Sequence, residues 1–332
     1  MNKQTKKALK EFAYRTLGAD LSDGIRNLIN KKDIVFYDKN LSRKVEALVK
    51  ENRRRNADGE YDLALLIKLH ELFSTIDLSD HYIFNNLLNS ARQRYRYLLS
   101  SGLDLEGKVV SDFGAGHGEN LIVANEFKLK SARGFDFSDD RFSSHVNDIS
   151  PKARETIKFN TLDLVRDDIG VDNSDIVLSF SAFEHFDDPG FVLDKCYRLL
   201  KKGGYLYAEF AAFNAPYAIH RKIFSGVPHV QNIFSDSVAY KFFYDHLKIN
   251  EGINRYTKEK ITDGNPFPEV NRWKISDYER VFLDPEKWEI VNYRKVYNYK
   301  YDWMIKIFSD SFQGMSKDDL YVDYLKFLIR KK

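Results

Sequence analysis

The chain has 332 residues, of which 43% are hydrophobic and 30% charged, which is typical of a globular protein with one extended α/β domain or two domains. The formal net charge of +3 is too small to indicate a dedicated nucleic-acid binder, and no apolar run is long enough to span a membrane. The N-terminus lacks the apolar stretch of a signal peptide, and the single cysteine, Cys196, excludes an internal disulfide. We therefore expect a cytoplasmic protein in which Cys196 is a buried packing residue on a helix.

Residues 1–104 are predicted to form an N-terminal helical region. Apolar residues recur three and four positions apart in Ala64–Phe73 and Tyr82–Leu99, which is the spacing of an amphipathic helix. The polar run Glu51–Glu60 contains three arginines and is predicted to be a solvated surface loop.

Strands and helices alternate with short links from Gly107 onwards. The predicted strands are Lys108–Phe113, Arg133–Phe137, Thr156–Asn160, Ser174–Phe180 and Tyr205–Phe210. A helix is predicted from Gly190 to Leu200, closed by the glycines Gly203 and Gly204. This alternation predicts a parallel sheet with helices on both faces.

Residues 211–275 interrupt the alternation and form a predicted insertion. Its aromatic side chains suit either a ligand pocket or the insertion's own core, and they are Tyr217, Phe224, Phe234, Tyr240, Phe242, Phe243 and Tyr244. A helix over Ser276–Phe282 and a strand over Lys287–Arg294 are predicted to follow. Leu320–Arg330 is predicted to be a final strand because of its β-branched and aromatic residues.

A glycine-rich loop follows the first predicted strand, in Asp112-Phe-Gly-Ala-Gly-His-Gly118. Glycines at 114, 116 and 118 allow a ligand to approach the backbone, and the next helix offers free N–H groups to an anionic group. A dinucleotide site is the alternative, but its fingerprint needs a glycine at the sixth position. Glu119 occupies that position here, and its carboxylate would repel a pyrophosphate.

Three acids lie near the carboxyl ends of predicted strands, where ligands bind in sheets of this type. Asp112 ends the first strand, and Asp136 ends the second, where it can accept hydrogen bonds from both hydroxyls of a ribose. Asp163 follows the third strand and can reach an adenine amino group. The structural alternatives are a brace for the glycine loop, a turn acid and a helix cap, respectively.

Together these motifs resemble the core of the class I S-adenosylmethionine-dependent methyltransferases, in particular the small-molecule branch that includes the quinone-biosynthesis and type-11 enzymes. The resemblance extends from about Gly107 to Phe210 and includes the Glu184-His185 pair after the fourth strand. It implies a Rossmann-like α/β fold: a seven-stranded, mostly parallel sheet with helices on both faces and an antiparallel last strand. It also implies S-adenosylmethionine as cofactor and a methyltransferase domain over residues 105–332 with a lid insertion at 211–275. The cofactor-binding residues that it implies are Asp112, Gly114, Gly116, Gly118, Asp136, Phe137 (beside adenine), Asp163, Leu164 and Ser181.

Three histidines are candidate catalytic bases because imidazole titrates near neutral pH. His185 follows the fourth strand and either faces the transferred methyl group or packs in the fold. His220 and His229 lie in the insertion, and their spacing does not indicate a metal site, so we predict no metal.

The function predicted from these features is methyl transfer to an oxygen of a small molecule, such as a sugar or a lipid-linked head group. Ser179-Phe-Ser-Ala182 stands where amino-methylating nucleic-acid enzymes carry an Asn/Asp-Pro-Pro-Tyr element. One alternative is an RNA or protein methyltransferase that docks its substrate on the basic N-terminal region. A second alternative is a non-catalytic subunit that keeps the cofactor fold.

Overall fold

The structure is a computed structural model that describes residues 39–55, 61–73, 84–145, 149, 151–169, 173–220, 224–254 and 259–332. The helices are α1 (Lys39–Arg55), α2 (Leu63–Leu72), α3 (Phe84–Ser100), α4 (Glu119–Ala124), α5 (Asp140–Ser143), α6 (Pro151–Arg154), α7 (Pro189–Leu199), α8 (Val230–Ile233), α9 (Asp236–Tyr240), α10 (Ile275–Phe282), α11 (Asp302–Ile307) and α12 (Lys317–Tyr321). The strands are β1 (Val109–Phe113), β2 (Ser131–Asp136), β3 (Ile157–Thr161), β4 (Ser174–Phe180), β5 (Leu200–Phe210), β6 (Trp288–Tyr297) and β7 (Val322–Lys331).

The seven strands form one sheet in the order β3-β2-β1-β4-β5-β7-β6. The strands β1 to β5 are parallel to their neighbours, whereas β7 runs antiparallel to both β5 and β6. The predicted seven-stranded, mostly parallel sheet with an antiparallel last strand is therefore confirmed. Because β1 lies between β2 and β4, the strand order reverses there, which opens a crevice at the carboxyl ends of these strands.

Apolar side chains cover both faces of the sheet. On one face, α7 and α10 contribute Cys196 and Phe282 to a core that includes Phe327 of β7. On the other face, α3 and α4 contribute Tyr95 and Leu121. Strands that are covered on both sides need nearly continuous apolar sequence, which explains the pattern of β1 and β4. Cys196 is buried on the inner face of its helix, as predicted.

A third core lies away from the sheet and joins α1 and α2 to the insertion and α11. Val45 of α1 and Leu66 of α2 share this core with Phe242 and Phe243 of the insertion. Four of the seven insertion aromatics are buried here, and they are Phe234, Phe242, Phe243 and Tyr244. The insertion aromatics therefore mainly form the insertion's own core. The described N-terminal helices divide between two cores, and the domain boundary at residue 104 stays a prediction.

Two local predictions were wrong. Glu51–Arg55 is not a loop, because α1 continues to Arg55 through residues with good helix propensity, and residues 56–60 lie outside the described ranges. The helix α7 does not end on the glycines: Leu200 is already extended, and Gly203 and Gly204 lie inside β5. The pairing of Leu200 with Ser174 starts this strand directly after the helix.

In the described ranges, we find no helix that combines the length and apolar character needed to cross a bilayer.

Candidate cofactor and catalytic site

The glycine loop between β1 and α4 packs too closely for side chains at two positions. Gly114 has φ +72°, and a Cβ added there would lie 2.4 Å from Cβ of Ala182. Gly118 also has φ +72°, and a Cβ there would lie 2.3 Å from Cδ2 of Phe142. Both the left-handed backbone and these contacts require glycine, so the chain leaves a bare backbone at the mouth of the crevice.

Asp136 joins the end of β2 to this loop. Its Oδ2 accepts a hydrogen bond from the Gly116 backbone N–H at 2.8 Å. Burial raises the pKa of the Asp136 carboxyl, and the N–H groups of Gly116 and Ser138 partly offset this rise. Phe137 follows with 54% of its surface exposed, and its predicted place beside adenine stays a prediction. A large exposed ring next to a held carboxylate fits a nucleoside.

Asp112 is almost wholly buried beneath the same loop. Its Oδ2 accepts from the Asn120 amide at 2.9 Å, whereas its Oδ1 has no hydrogen-bond partner. Burial raises the pKa of Asp112 to about 8. Asn120 is held in turn by Arg94 of α3, whose Nη1 donates to Asn120 Oδ1 at 3.1 Å. An unpaired buried acceptor at this point fits a ligand that brings a donor group, such as an α-ammonium.

The remaining predicted cofactor residues lie at the neighbouring strand ends. Asp163 caps its own turn, because its Oδ1 accepts from the backbone N–H of Val165 at 2.8 Å. Leu164 is buried in the sheet core. Ser181 directly follows β4 with φ +49°, and its backbone N–H donates to Glu209 O at 2.8 Å. The adenine contact of Asp163 stays a prediction.

A second group of polar side chains lies where β4 ends, in the 3-10 turn Phe183–His185. Glu184, His185 and His220 each offer a ligand atom within 4.8 Å of the others. His220 Nε2 lies 3.7 Å from Glu184 Oε1. The ring centroids of His185 and His220 are 4.8 Å apart. Glu184 is 3% exposed, and neither carboxylate oxygen has a hydrogen-bond partner. Burial is the main influence on the Glu184 carboxyl and raises its pKa to about 8.

The end of the insertion fixes the position of this turn. The Asn271 amide donates to the carbonyls of Phe183 and Phe186 at 2.8 and 2.9 Å. The Asn271 backbone N–H donates to Glu184 O at 2.8 Å. His185 Nδ1 lies 2.5 Å from Glu269 O, and since a carbonyl only accepts, Nδ1 carries the proton. The acceptor nitrogen of His185 is therefore Nε2.

His229 lies apart from this group. Its ring is fully buried, edge-on to Tyr301 and Phe312 in the core of the insertion. The Asn232 amide lies 3.2 Å from its Nδ1. Burial lowers the pKa of His229 to about 3, so the ring stays neutral. Its surroundings indicate a packing role.

The structure therefore brings together the glycine loop, Asp112, Asp136 and Ser181 at one edge, with His185 and His220 beside them. Sequence reasoning missed three residues that shape the site: Asn120, Glu184 as an orphaned acid, and Asn271. Of these three residues, only Glu184 could have been found from the sequence, because it immediately precedes His185 at the end of a predicted strand.

Comparison with known proteins agrees with this geometry. A protein-family model described as a methyltransferase domain matches residues 111–206. No curated protein matches the chain.

Several solved structures of methyltransferases are similar to this chain at low sequence identity. An S-adenosylmethionine-dependent methyltransferase from Mesorhizobium loti is 16% identical, with 74% of this chain and 99% of that one covered and a TM-score of 0.45. The magnesium protoporphyrin IX methyltransferase from Synechocystis, with bound S-adenosylhomocysteine, is 15% identical over 77% and 89%, with a TM-score of 0.43. The geranyl diphosphate C-methyltransferase from Streptomyces coelicolor is 12% identical over 73% and 76%, with a TM-score of 0.44. Nothing about the acceptor of this chain follows from similarities this distant.

The matched segment contains the end of β1, the glycine loop, β2 with Asp136, and β4 with its Glu-His turn. The family match indicates the reaction class, and the seven-stranded sheet is consistent with it. The protein therefore carries a methyltransferase domain, matched over residues 111–206, and its cofactor is S-adenosylmethionine.

Proposed function

We propose that the protein transfers the methyl group of S-adenosylmethionine to an oxygen of a small molecule, such as a sugar or a lipid-linked head group. One observation carries this proposal: the buried carboxylate of Glu184 lies beside His185 and His220 where β4 ends, next to the glycine loop. An oxygen acceptor needs a group that takes its proton, and a cluster of imidazoles and a carboxylate supplies one.

The reaction is an in-line displacement. An acceptor lone pair forms the O–CH₃ bond while the C–S bond breaks, and its electron pair stays on sulfur to give the neutral thioether. The cofactor carries the activation, so the protein has to hold the acceptor oxygen about 3 Å from the methyl carbon and exclude water. In the proposal, Asp136 holds the ribose, the bare glycine loop accommodates the methionine moiety, and Asp112 Oδ1 accepts from its ammonium group.

His220 is the preferred base among the three candidate histidines. Its Nε2 faces Glu184 at 3.7 Å, so a proton taken up by His220 is stabilised whenever Glu184 is ionised. His185 adjoins it with its Nδ1 proton committed to Glu269 O. His229 is enclosed by Tyr301 and Phe312, which supports a packing role.

Transfer of a labelled methyl group tests the proposal. The protein is incubated with methyl-labelled S-adenosylmethionine and, separately, with the small-molecule, RNA and protein fractions of a cell extract. We expect label in the small-molecule fraction, in a product with an O-methyl group. Label in RNA or protein instead would favour the substrate-docking alternative, and cofactor binding without transfer to any fraction would favour a non-catalytic subunit.

A further inference from the structure

The geometry points to a divalent transition-metal site formed by Glu184, His185 and His220. The inference that a cation binds depends only on these three ligands. The inference that the cation takes part in methyl transfer rests on the proposed function. Sequence reasoning considered His220 together with His229 and predicted no metal. The structure groups His220 with Glu184 and His185 instead, and one ligand atom of each lies within 4.8 Å of the other two.

Glu184 supplies an independent indication of a ligand. It is 3% exposed, and both of its oxygens lack a hydrogen-bond partner. A carboxylate removed from water without compensation is costly, and buried charges in proteins are normally paired or bound to metal. The cluster directs this carboxylate towards two imidazoles, and a cation between the three groups would satisfy it.

His185 is oriented in the way that metal ligands usually are. Its Nδ1–H donates to Glu269 O at 2.5 Å, so the lone pair of the ring lies on Nε2. A hydrogen bond from the second ring nitrogen to a carbonyl fixes the tautomer and raises the basicity of the ligating nitrogen. The Asn271 hydrogen bonds that hold the 3-10 turn fix the backbone that carries this ring.

His220 is held in an unfavourable backbone conformation. Its φ is +53°, in the left-handed region, which is unfavourable for a residue with a Cβ. Strain of this kind persists where the surrounding structure enforces it, and it concentrates at functional sites. The result here is that Nε2 faces Glu184 while 36% of the side chain stays exposed. A ligand could therefore reach the cluster from the side of His220.

Two imidazoles and one carboxylate select the type of cation. Zn²⁺, Mn²⁺ and Co²⁺ accept mixed nitrogen and oxygen donors, whereas Mg²⁺ and Ca²⁺ prefer oxygen ligands. Three protein ligands leave a coordination position open, as in catalytic zinc sites. With a cation bound, Nε2 of His220 would be a ligand and no longer the base. Water would then take the proton of an acceptor hydroxyl at the open position, and more easily because the cation stabilises the oxyanion. The oxyanion then attacks the methyl carbon, and the C–S electron pair leaves on sulfur.

Direct metal titration tests the site without cofactor or acceptor. The full-length protein is stripped with a chelator and titrated with Zn²⁺, Mn²⁺ and Mg²⁺ by calorimetry, and with Co²⁺ by visible absorption. We expect about one equivalent of Zn²⁺ to bind far more tightly than Mg²⁺. Glu184→Gln and His220→Ala should each weaken Zn²⁺ binding roughly tenfold or more, because each removes one of three ligands. The matched control is His246→Ala, which removes an exposed imidazole elsewhere and should change nothing.

Absence of Zn²⁺ and Co²⁺ binding to the wild type, or binding that neither variant weakens, would overturn the inference. If Glu184→Gln fails to fold, the partly exposed His220 provides the decisive variant. The metal site and the proposed function can fail independently. Zn²⁺ binding at this cluster without formation of an O-methyl product would support the metal site and contradict the proposed function. Equal turnover of the metal-free and the metal-loaded enzyme would show that the cation takes no part in methyl transfer.

Discussion

Gly114 and Ala182 approach each other so closely that a Cβ on Gly114 would lie 2.4 Å from Cβ of Ala182. This contact joins the cofactor loop after β1 to the turn after β4 that carries Glu184 and His185. The two halves of the proposed site, one for the cofactor and one for the acceptor proton, therefore share one interface. A substitution that displaces the glycine loop should therefore also displace the turn after β4, and the reverse.

Gly114→Ala should weaken S-adenosylmethionine binding roughly tenfold or more, because overpacking costs about 1–3 kcal/mol and the left-handed φ adds strain. Calorimetric titration of the cofactor measures the change. In the double variant with Ala182→Gly, the clashing methyl is gone, and part of the affinity should return. If the second substitution restores nothing, the loss comes from the backbone alone.

Asp136→Asn should reduce cofactor affinity by roughly ten- to a hundredfold, since hydrogen bonds to a charged acceptor contribute about 1.5–3 kcal/mol. The variant keeps the size of the side chain at the end of β2, so the fold should be little changed. Asp139→Asn, an exposed acid three residues further along, is the control. Unchanged binding of S-adenosylhomocysteine by the Asp136 variant would contradict the ribose role.

Arg94 and Arg92 both lie on α3, yet they should differ in their effect on stability. Arg94 donates to Asn120, which holds the buried Asp112, so Arg94→Leu should lower the free energy of unfolding by about 1–3 kcal/mol. Arg92 forms an exposed ion pair with Glu126, so Arg92→Leu should cost no more than about 1 kcal/mol. Urea unfolding of the two variants distinguishes them. Equal losses would mean that α3 does not brace the cofactor loop through Asn120.

The stability of the cofactor-free protein should depend on pH through Asp112. Burial raises its pKa from 3.8 in the unfolded chain to about 8, so between these values the folded state binds more protons than the unfolded state. The contribution of Asp112 to stability therefore falls as pH rises from about 4 to 8. Asp112→Asn lacks this ionisation and should gain in Tm relative to the wild type over that range. A difference in Tm that is flat with pH would show that Asp112 titrates normally.

The three candidate histidines should separate by the property that each substitution changes. His220→Ala should keep cofactor binding and lose most methyl transfer, by roughly a hundredfold if it is the base. His229→Asn should lower the Tm, because it replaces a fully buried ring in the insertion core, while turnover per folded molecule stays near the wild-type value. Thermal unfolding and single-turnover assays on the same preparations measure both. Loss of turnover in the folded His229 variant would indicate that His229, and not only His220 or His185, is a candidate base.

The sequence by itself determined the cofactor half of this protein. Short-range signals were sufficient there: a strand, three glycines, a helix and acids at strand ends predict the crevice, because β-α alternation leaves few arrangements open. The last strand was also predicted correctly, since its β-branched and aromatic residues suit pairing in a sheet.

Only the tertiary structure decided the acceptor half. His220, Glu269 and Asn271 reach the turn of Glu184 from the insertion, and no periodicity marks contacts between such distant positions. The same holds for Arg94, whose contact with Asn120 depends on how α3 packs against α4. The sequence also left His220 and His229 equivalent, whereas burial separates them: one faces a buried carboxylate, and the other is enclosed by aromatic rings. The physical reason is that desolvation and the proximity of remote charges are set by packing, which local sequence does not encode.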